Sequence, residues 1–506
     1  MTWTTTLLLC AAGAAYGAPV EQVNISGSAG HSTLASAIAA VSDNGEIQIV
    51  EAGTYRGTVV LIGGKTYTIR GTVPGVIVAN SNGEALVATE APPTGAVNVT
   101  FDNVTIDRNQ SADGTGLIPT VGSNTGAAMN IDQSASFPVT ITLINNSSVI
   151  HPGPGLVSPP VSIDAGEAIK FNLGVVAGAP ITFSMTGGVV STTATQSNNK
   201  ATIRQQGTVP IDGLTASFTN VNINTAGRSL VNVASGGNNH DWTFDGCTMT
   251  NTNTTQVNYG RGIEFTGFPG GNSKFTFVDT SITCFEEVFR APDLAAITGA
   301  EITFNRCVLD NSAGTRSDRT LDIRFADATA SNEVNVFNSV IKSQQGTGSA
   351  ARGFYTEGST GRAYHTTFIA AGTGGERAIN SANSSVTSWA NCVFVNFLGS
   401  TSQIVGGGGL DPREGNAIGG PTDSTVLGAD RFYTATIGDL LLDSNGKQSA
   451  GSPVIAQGTA NAAIATAIGA VDIEGNIRPN NGVLKPDAGA YQFGTYSDAR
   501  QWQLYY

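Results

Sequence analysis

The chain has 506 residues, 63 of them glycine, with 12% charged and 40% hydrophobic side chains. That is too apolar for a disordered chain and too thinly charged for a typical helical one, and it suits an all-β protein with many turns. The formal charge of −13 argues against a polyphosphate partner, since nucleic-acid binding relies on Lys and Arg neutralising phosphates, so no nucleic acid is expected.

From the N-terminus, Thr5 to Ala12 is a short apolar run followed by Ala15-Tyr16-Gly17, with small residues where signal peptidase cuts. Residues 1–18 therefore read as a signal peptide and the product as secreted or cell-surface. No Lys or Arg precedes the run, which keeps an apolar first strand as the alternative. Leu9 before Cys10 is not the small residue of a lipobox, so lipid attachment is not expected. No later stretch reaches the ~18 apolar residues of a membrane-spanning helix. Residues 19–45 read as a cap: Leu34, Ile38 and Val41 share one helical face, with Ser32 or Thr33 as N-cap. Glu46–Val50, Gly53–Arg56 and Thr66–Arg70 read as the first strands.

Across residues 46–398 one pattern recurs: an aromatic residue or Leu, one or two polar residues, then small, branched or thiol residues running into a turn. It appears as Phe101-Asp102-Asn103-Val104, Phe218-Thr219-Asn220-Val221, Phe244-Asp245-Gly246-Cys247, Phe277-Val278-Asp279-Thr280 and Phe304-Asn305-Arg306-Cys307. Leu143, Phe337, Tyr364 and Trp389 lead further copies, and Phe183 a degenerate one. The spacing, roughly 40 residues early and about 25 to 33 later, is that of a solenoid. Alternation of period two marks strands, and Gly, Asn, Asp and Ser clusters mark turns. The predicted fold is all-β: a single-stranded right-handed parallel β-helix of roughly ten or more coils. Like residues then stack from coil to coil, an aromatic column inside and an Asn column at a bend. Residues 399–506 lack the repeat. Gly406 to Gly409 read as a flexible joint and the rest as an irregular segment covering the last coils.

The helix followed by Ala52-Gly53-Thr54-Tyr55 and Thr68-Ile69-Arg70-Gly71 resembles the opening of bacterial exported parallel β-helix proteins of the pectin-lyase-like superfamily. Gly451-Ser452-Pro453, Asp472 to Pro479 and Pro486-Asp487-Ala488-Gly489-Ala490-Tyr491 resemble their closing segment. The resemblance implies the scaffold and no enzyme class. Arg290-Ala291-Pro292 begins like the Arg-x-Pro-x-x-Arg of pectate lyases but lacks the second Arg. The signature segments of polygalacturonases and pectin methylesterases are missing.

Cys247, Cys307 and Cys392 fall in one column with whole coils between them, so separations of at least about 9 to 10 Å exceed disulfide reach, and they read as interior fillers. Cys284 lies in another column. No metal-ligand spacing appears and no cofactor is expected; calcium on surface Asp residues has no support from spacing.

Charges are scarce, yet successive coils read Arg228-Ser229-Leu230, Arg261-Gly262-Ile263-Glu264, Glu287-Val288-Phe289-Arg290, Arg319-Thr320-Leu321-Asp322-Ile323-Arg324, Arg352-Gly353-Phe354-Tyr355-Thr356-Glu357 and Arg377-Ala378-Ile379-Asn380. Aligning the apolar position puts Glu264, Arg290, Asp322 and Tyr355 in one outward column and Arg324 and Glu357 in the next. The plainer reading is ion pairing between coils on a solvated face. The sharper one is a glycan site, with Arg261, Arg290, Arg319 and Arg324 gripping carboxylates or hydroxyls, Tyr355 as a stacking platform, and Glu264, Asp322 or Glu357 beside them. Two functions follow as expectations. One is a surface scaffold presenting a long face for adhesion, contact with a polysaccharide or cell-surface glycan, or assembly. The other is a polysaccharide lyase or hydrolase using Glu264, Arg290, Asp322 and Arg324. Self-association into fibres through the coil ends is a third.

Overall fold

A computed structural model of the chain describes residues 19–493 apart from connecting segments, the longest being 108–126, 152–166, 419–437 and 456–470. The proposed signal peptide and the Gly406–Gly409 joint lie outside the described residues. The strands form three all-parallel sheets of 13, 13 and 12 strands. The chain visits them in rotation. Gly45–Ile49 opens a coil in the first sheet, Thr54–Arg56 continues it in the second and Val59–Leu61 in the third, before Lys65–Gly71 returns to lie beside Gly45–Ile49. The molecule is a parallel β-helix.

Its N-terminal end is closed. Helix Leu34–Ala40 is capped by Thr33, whose Oγ1 accepts the Ser36 N–H at 3.2 Å, and it buries Leu34, Ala37 and Ile38. Residues 19–45 contain more than a cap, because Val20–Val23 pairs with Gly45–Ile49 as the outermost strand of the first sheet. Its outer edge is covered in turn by His31, whose N–H donates to Gln22 O and whose carbonyl accepts from Asn24 N–H, both at 3.1 Å.

Inside the first sheet, Phe101, Leu143, Met185, Phe218, Phe244, Phe277 and Phe304 stand in register. The last four rings stack at 5.1, 5.0 and 4.8 Å, the strand spacing itself. Three residues expected in this column are elsewhere. Phe183 sits one inward position earlier, level with Ala216. Phe337 and Tyr364 pair beyond the column and stack on each other at 5.5 Å, while Val336, Ala363 and Trp389 continue it. From Phe304 to the bend is one residue longer than from Phe337, and with period two a single residue turns a side chain to the opposite face.

The bend after each of these strands uses left-handed backbone. Asn103, Asn220, Asn338 and Asn391 have φ of 55°, 55°, 47° and 54°, a region Asn tolerates better than other side chains. The amides also tie coils together: Asn103 Nδ2 donates to Gly71 O at 2.9 Å and Asn145 Nδ2 to Asp102 Oδ1 at 2.7 Å. The next residue points inward and is small. Cys247, Cys307 and Cys392 are free and buried there, and their thiols donate to Phe218 O, Phe277 O and Ala363 O of the coil below at 3.3, 3.4 and 3.2 Å. In the coils above, Thr280 Oγ1 and Ser339 Oγ accept the N–H of Cys247 and Cys307 at 3.3 and 3.0 Å. At the other end of the molecule Leu440, Leu442, Val454, Ala490 and Tyr491 pack on Val340, Ile369, Val393 and Val395 of the last coils.

Candidate functional site

The aligned charges lie on the third sheet, on strands Ser229–Val233, Arg261–Phe265, Phe289–Leu294, Leu321–Phe325 and Arg352–Glu357. Val231, Ile263, Phe289 and Leu321 point into the core, so the alternating residues Asn232, Glu264, Arg290, Asp322 and Tyr355 stand side by side outside. Arg324 and Glu357 pair in the neighbouring column. A buried polar corner fixes where these strands begin. Asn251 Nδ2 donates to Arg261 O at 2.8 Å, and Thr320 Oγ1 donates to Asn311 Oδ1 at 2.9 Å.

The charges form two groups. In the first, Glu264 has no exposed surface. Arg228 grips it at two points, Nε to Oε2 at 2.7 Å and Nη2 to Oε1 at 2.8 Å. Arg261 Nη1 and Arg290 Nη1 reach Oε1 at 2.7 and 3.2 Å. Arg261 Nε donates to Glu287 at 2.9 Å and lies 3.5 Å from Glu286, and Arg290 Nε is 3.4 Å from Glu287. Burial works to raise the Glu264 pKa, but the Arg228 hydrogen bonds and the charges of Arg261, Arg228 and Arg290 outweigh it and hold the carboxylate below its ordinary range.

In the second group Asp322 accepts from Arg319 Nη1 at 2.6 Å and from Arg324 Nε and Nη2 at 2.9 Å each. The Arg319 guanidinium lies 4.0 Å from the centre of the Tyr355 ring and that of Arg324 5.4 Å. Tyr355 is 8% exposed and donates its hydroxyl to Glu357 Oε2 at 3.1 Å. Burial, then the Glu357 charge, raises its pKa. The ring offered as a stacking platform thus carries cations on its face, and the pairs are part-buried, not solvated.

Every candidate from the sequence falls into one of these groups: Arg261, Glu264 and Arg290 into the first, Arg319, Asp322, Arg324, Tyr355 and Glu357 into the second. Sequence reasoning missed the grip of Arg228 and the bracing by Glu286 and Glu287. Part of that signal was present: Arg261 and Glu264, Glu287 and Arg290, and Arg319 and Asp322 are opposite charges three apart at the start of successive strands. Chemically, Glu264 and Asp322 are saturated with donors and poorly placed to move protons. The most open cations are Arg290 and Arg324, with side chains 28% and 25% exposed. Among the described residues no group of three or more His, Cys, Asp or Glu could hold a metal ion, and no helix is long and apolar enough to cross a membrane. No protein-family model matches the chain, and neither curated proteins nor solved structures give a match.

Proposed function

We propose that the chain is an exported, cell-surface or extracellular scaffold of the pectin-lyase-like type, whose third sheet offers a guanidinium-edged face to an acidic or hydroxyl-rich glycan without transforming it. One observation carries this reading: Glu264, the central carboxylate of the face, is buried and held by three arginines. A general acid needs a carboxyl that keeps its proton near neutral pH, and a general base needs a lone pair open to substrate. Glu264 has neither, and Asp322 spends both oxygens on Arg319 and Arg324.

Twelve strands about 4.8 Å apart give a face about 53 Å long, suited to a polymer. The covered N-terminal edge works against fibres built by end-to-end stacking. The test is a panel of acidic and neutral polysaccharides, assayed for binding and for release of unsaturated or reducing ends. Binding without product, weakened about tenfold or more in an Arg290→Ala/Arg324→Ala variant, is the expected outcome. Product release that disappears in Arg290→Ala would establish a lyase and end the scaffold reading.

A further inference from the structure

On the outer face of the first sheet, a different surface, hydroxyl side chains form a two-dimensional array. One column runs from Thr68 through Thr100, Thr142, Ser184, Ser217, Thr243 and Thr276 to Thr303, before Asn335 takes the position. Beside it, two residues earlier on the same strands, stand Thr66, Asn98, Thr140, Thr182 and Thr215. The register is continuous over these strands, so the hydroxyls repeat at about 4.8 Å from coil to coil and at about 6.6 Å along each strand. No charge interrupts either column until Asp241 follows Thr215, after which Lys274 and Glu301 continue that column and pair at 3.5 Å. The first column runs on past that point, so the two columns stand together without a charge over five successive strands.

Thr suits an outward strand position through its β-branch alone. That preference does not account for the second feature, the state of the hydroxyls. Neighbouring ones stand too far apart for regular direct bonding. Ser184 Oγ to Thr142 Oγ1, at 3.2 Å, is the one hydroxyl-to-hydroxyl bond in the patch, and Thr66 Oγ1 accepts from Asn98 Nδ2 at 3.4 Å. Among the described residues, the hydroxyls of Thr68, Thr100, Thr140, Thr182, Thr215 and Ser217 have no protein partner. One water between two such hydroxyls satisfies both: two O–H···O bonds of about 2.8 Å meeting near the tetrahedral angle span about 4.6 Å, close to the strand spacing. That span is the second-neighbour distance of tetrahedral water itself. The face repeats it over successive coils, holding waters in the arrangement they take in ice, with threonine methyl groups between them.

We infer that this face binds ice. Crystalline water fits the patch better than a polysaccharide does, because the two columns present no aromatic ring for stacking and no charge for a uronate. The experiment uses the full chain in ice-crystal shaping and recrystallisation assays, with cellulose and chitin powders as competing solids. The expected result is faceted crystals and suppressed recrystallisation. Both should be lost in Thr142→Lys/Ser217→Lys, two substitutions on an outward face whose circular dichroism and melting should stay those of the parent. The Arg290→Ala/Arg324→Ala variant should retain both effects, so this inference and the glycan reading fail separately. Unshaped crystals with the parent chain, an unchanged effect in the lysine variant, or adsorption to cellulose or chitin in place of ice would overturn it.

Discussion

Single buried groups set the acid limit and the redox behaviour of the molecule. His240 points inward at the start of Asp241–Asp245, and among the described residues neither ring nitrogen has a partner. Burial pushes its pKa down to about 4 from an ordinary 6.5. Because the folded value lies below the unfolded one, the neutral ring contributes its full stability above pH 6.5. That contribution is lost as the pH falls towards 4, about 3 kcal/mol in all. His240→Leu, which continues the Leu214 below it, should therefore gain on the parent by about 3 kcal/mol between pH 7 and pH 4 in denaturant titrations; parallel curves would refute the assignment. The thiols should be inert. Burial raises Cys247 to about 11 and Cys307 and Cys392 to about 12. A disulfide reagent should modify none of these three until the chain unfolds, and rapid labelling of the native protein would show that the column opens.

For the strands, the decisive element is the hub on Arg261–Phe265. Glu264→Gln keeps the shape but removes the charge that three guanidinium groups share, and breaking a buried pair from one side costs about 3–5 kcal/mol. Urea unfolding should show that loss with little dependence on salt, since the pair is shielded from the ions that screen surface charges. A loss below about 1 kcal/mol would mark the network as a surface decoration. This element also shows what a sequence can and cannot reveal. The alignment of Glu264, Arg290 and Asp322 in one column was legible because apolar neighbours one residue away fix the strand phase. The reach of Arg228 was not, because its backbone belongs to another column and only the length of its side chain brings it to Glu264. Phe337 misled for the complementary reason: it repeats the aromatic letter of the pattern while standing one residue closer to the bend, and phase counts for more than identity.

Across the whole molecule, contacts in a solenoid are mostly between neighbouring coils, so the repeat was readable from local sequence while the longest-range contacts were not. Arg478 is the extreme case. It is buried, with its pKa pushed down by that burial to about 10, and its partners include Asn338 Oδ1 at 3.2 Å, 140 residues earlier. It also donates to the carbonyls of Asp487, Gly489 and Ala490 at 3.3, 2.9 and 2.8 Å. No spacing rule announces such a residue; a lone Arg beside the Gly475-Asn476 turn reads as surface. Its geometry makes it the pin that holds the C-terminal segment against the last coils, helped by Ala490 N–H donating to Thr367 Oγ1 at 2.9 Å. Arg478→Met fills the volume but leaves those carbonyls and Asn338 without their donor, at a cost of roughly 1–3 kcal/mol for each group left unsatisfied. The segment should then detach before the β-helix melts, because few contacts carry the damage beyond the coils it covers. Limited proteolysis should clip the variant within residues 438–493 while the body stays intact, and an apolar dye should report Val340, Ile369, Val393 and Val395 as newly exposed. A variant that melts in one step at an unchanged temperature, with its tail resistant to protease, would show that apolar packing alone holds the segment and that Arg478 is not the pin.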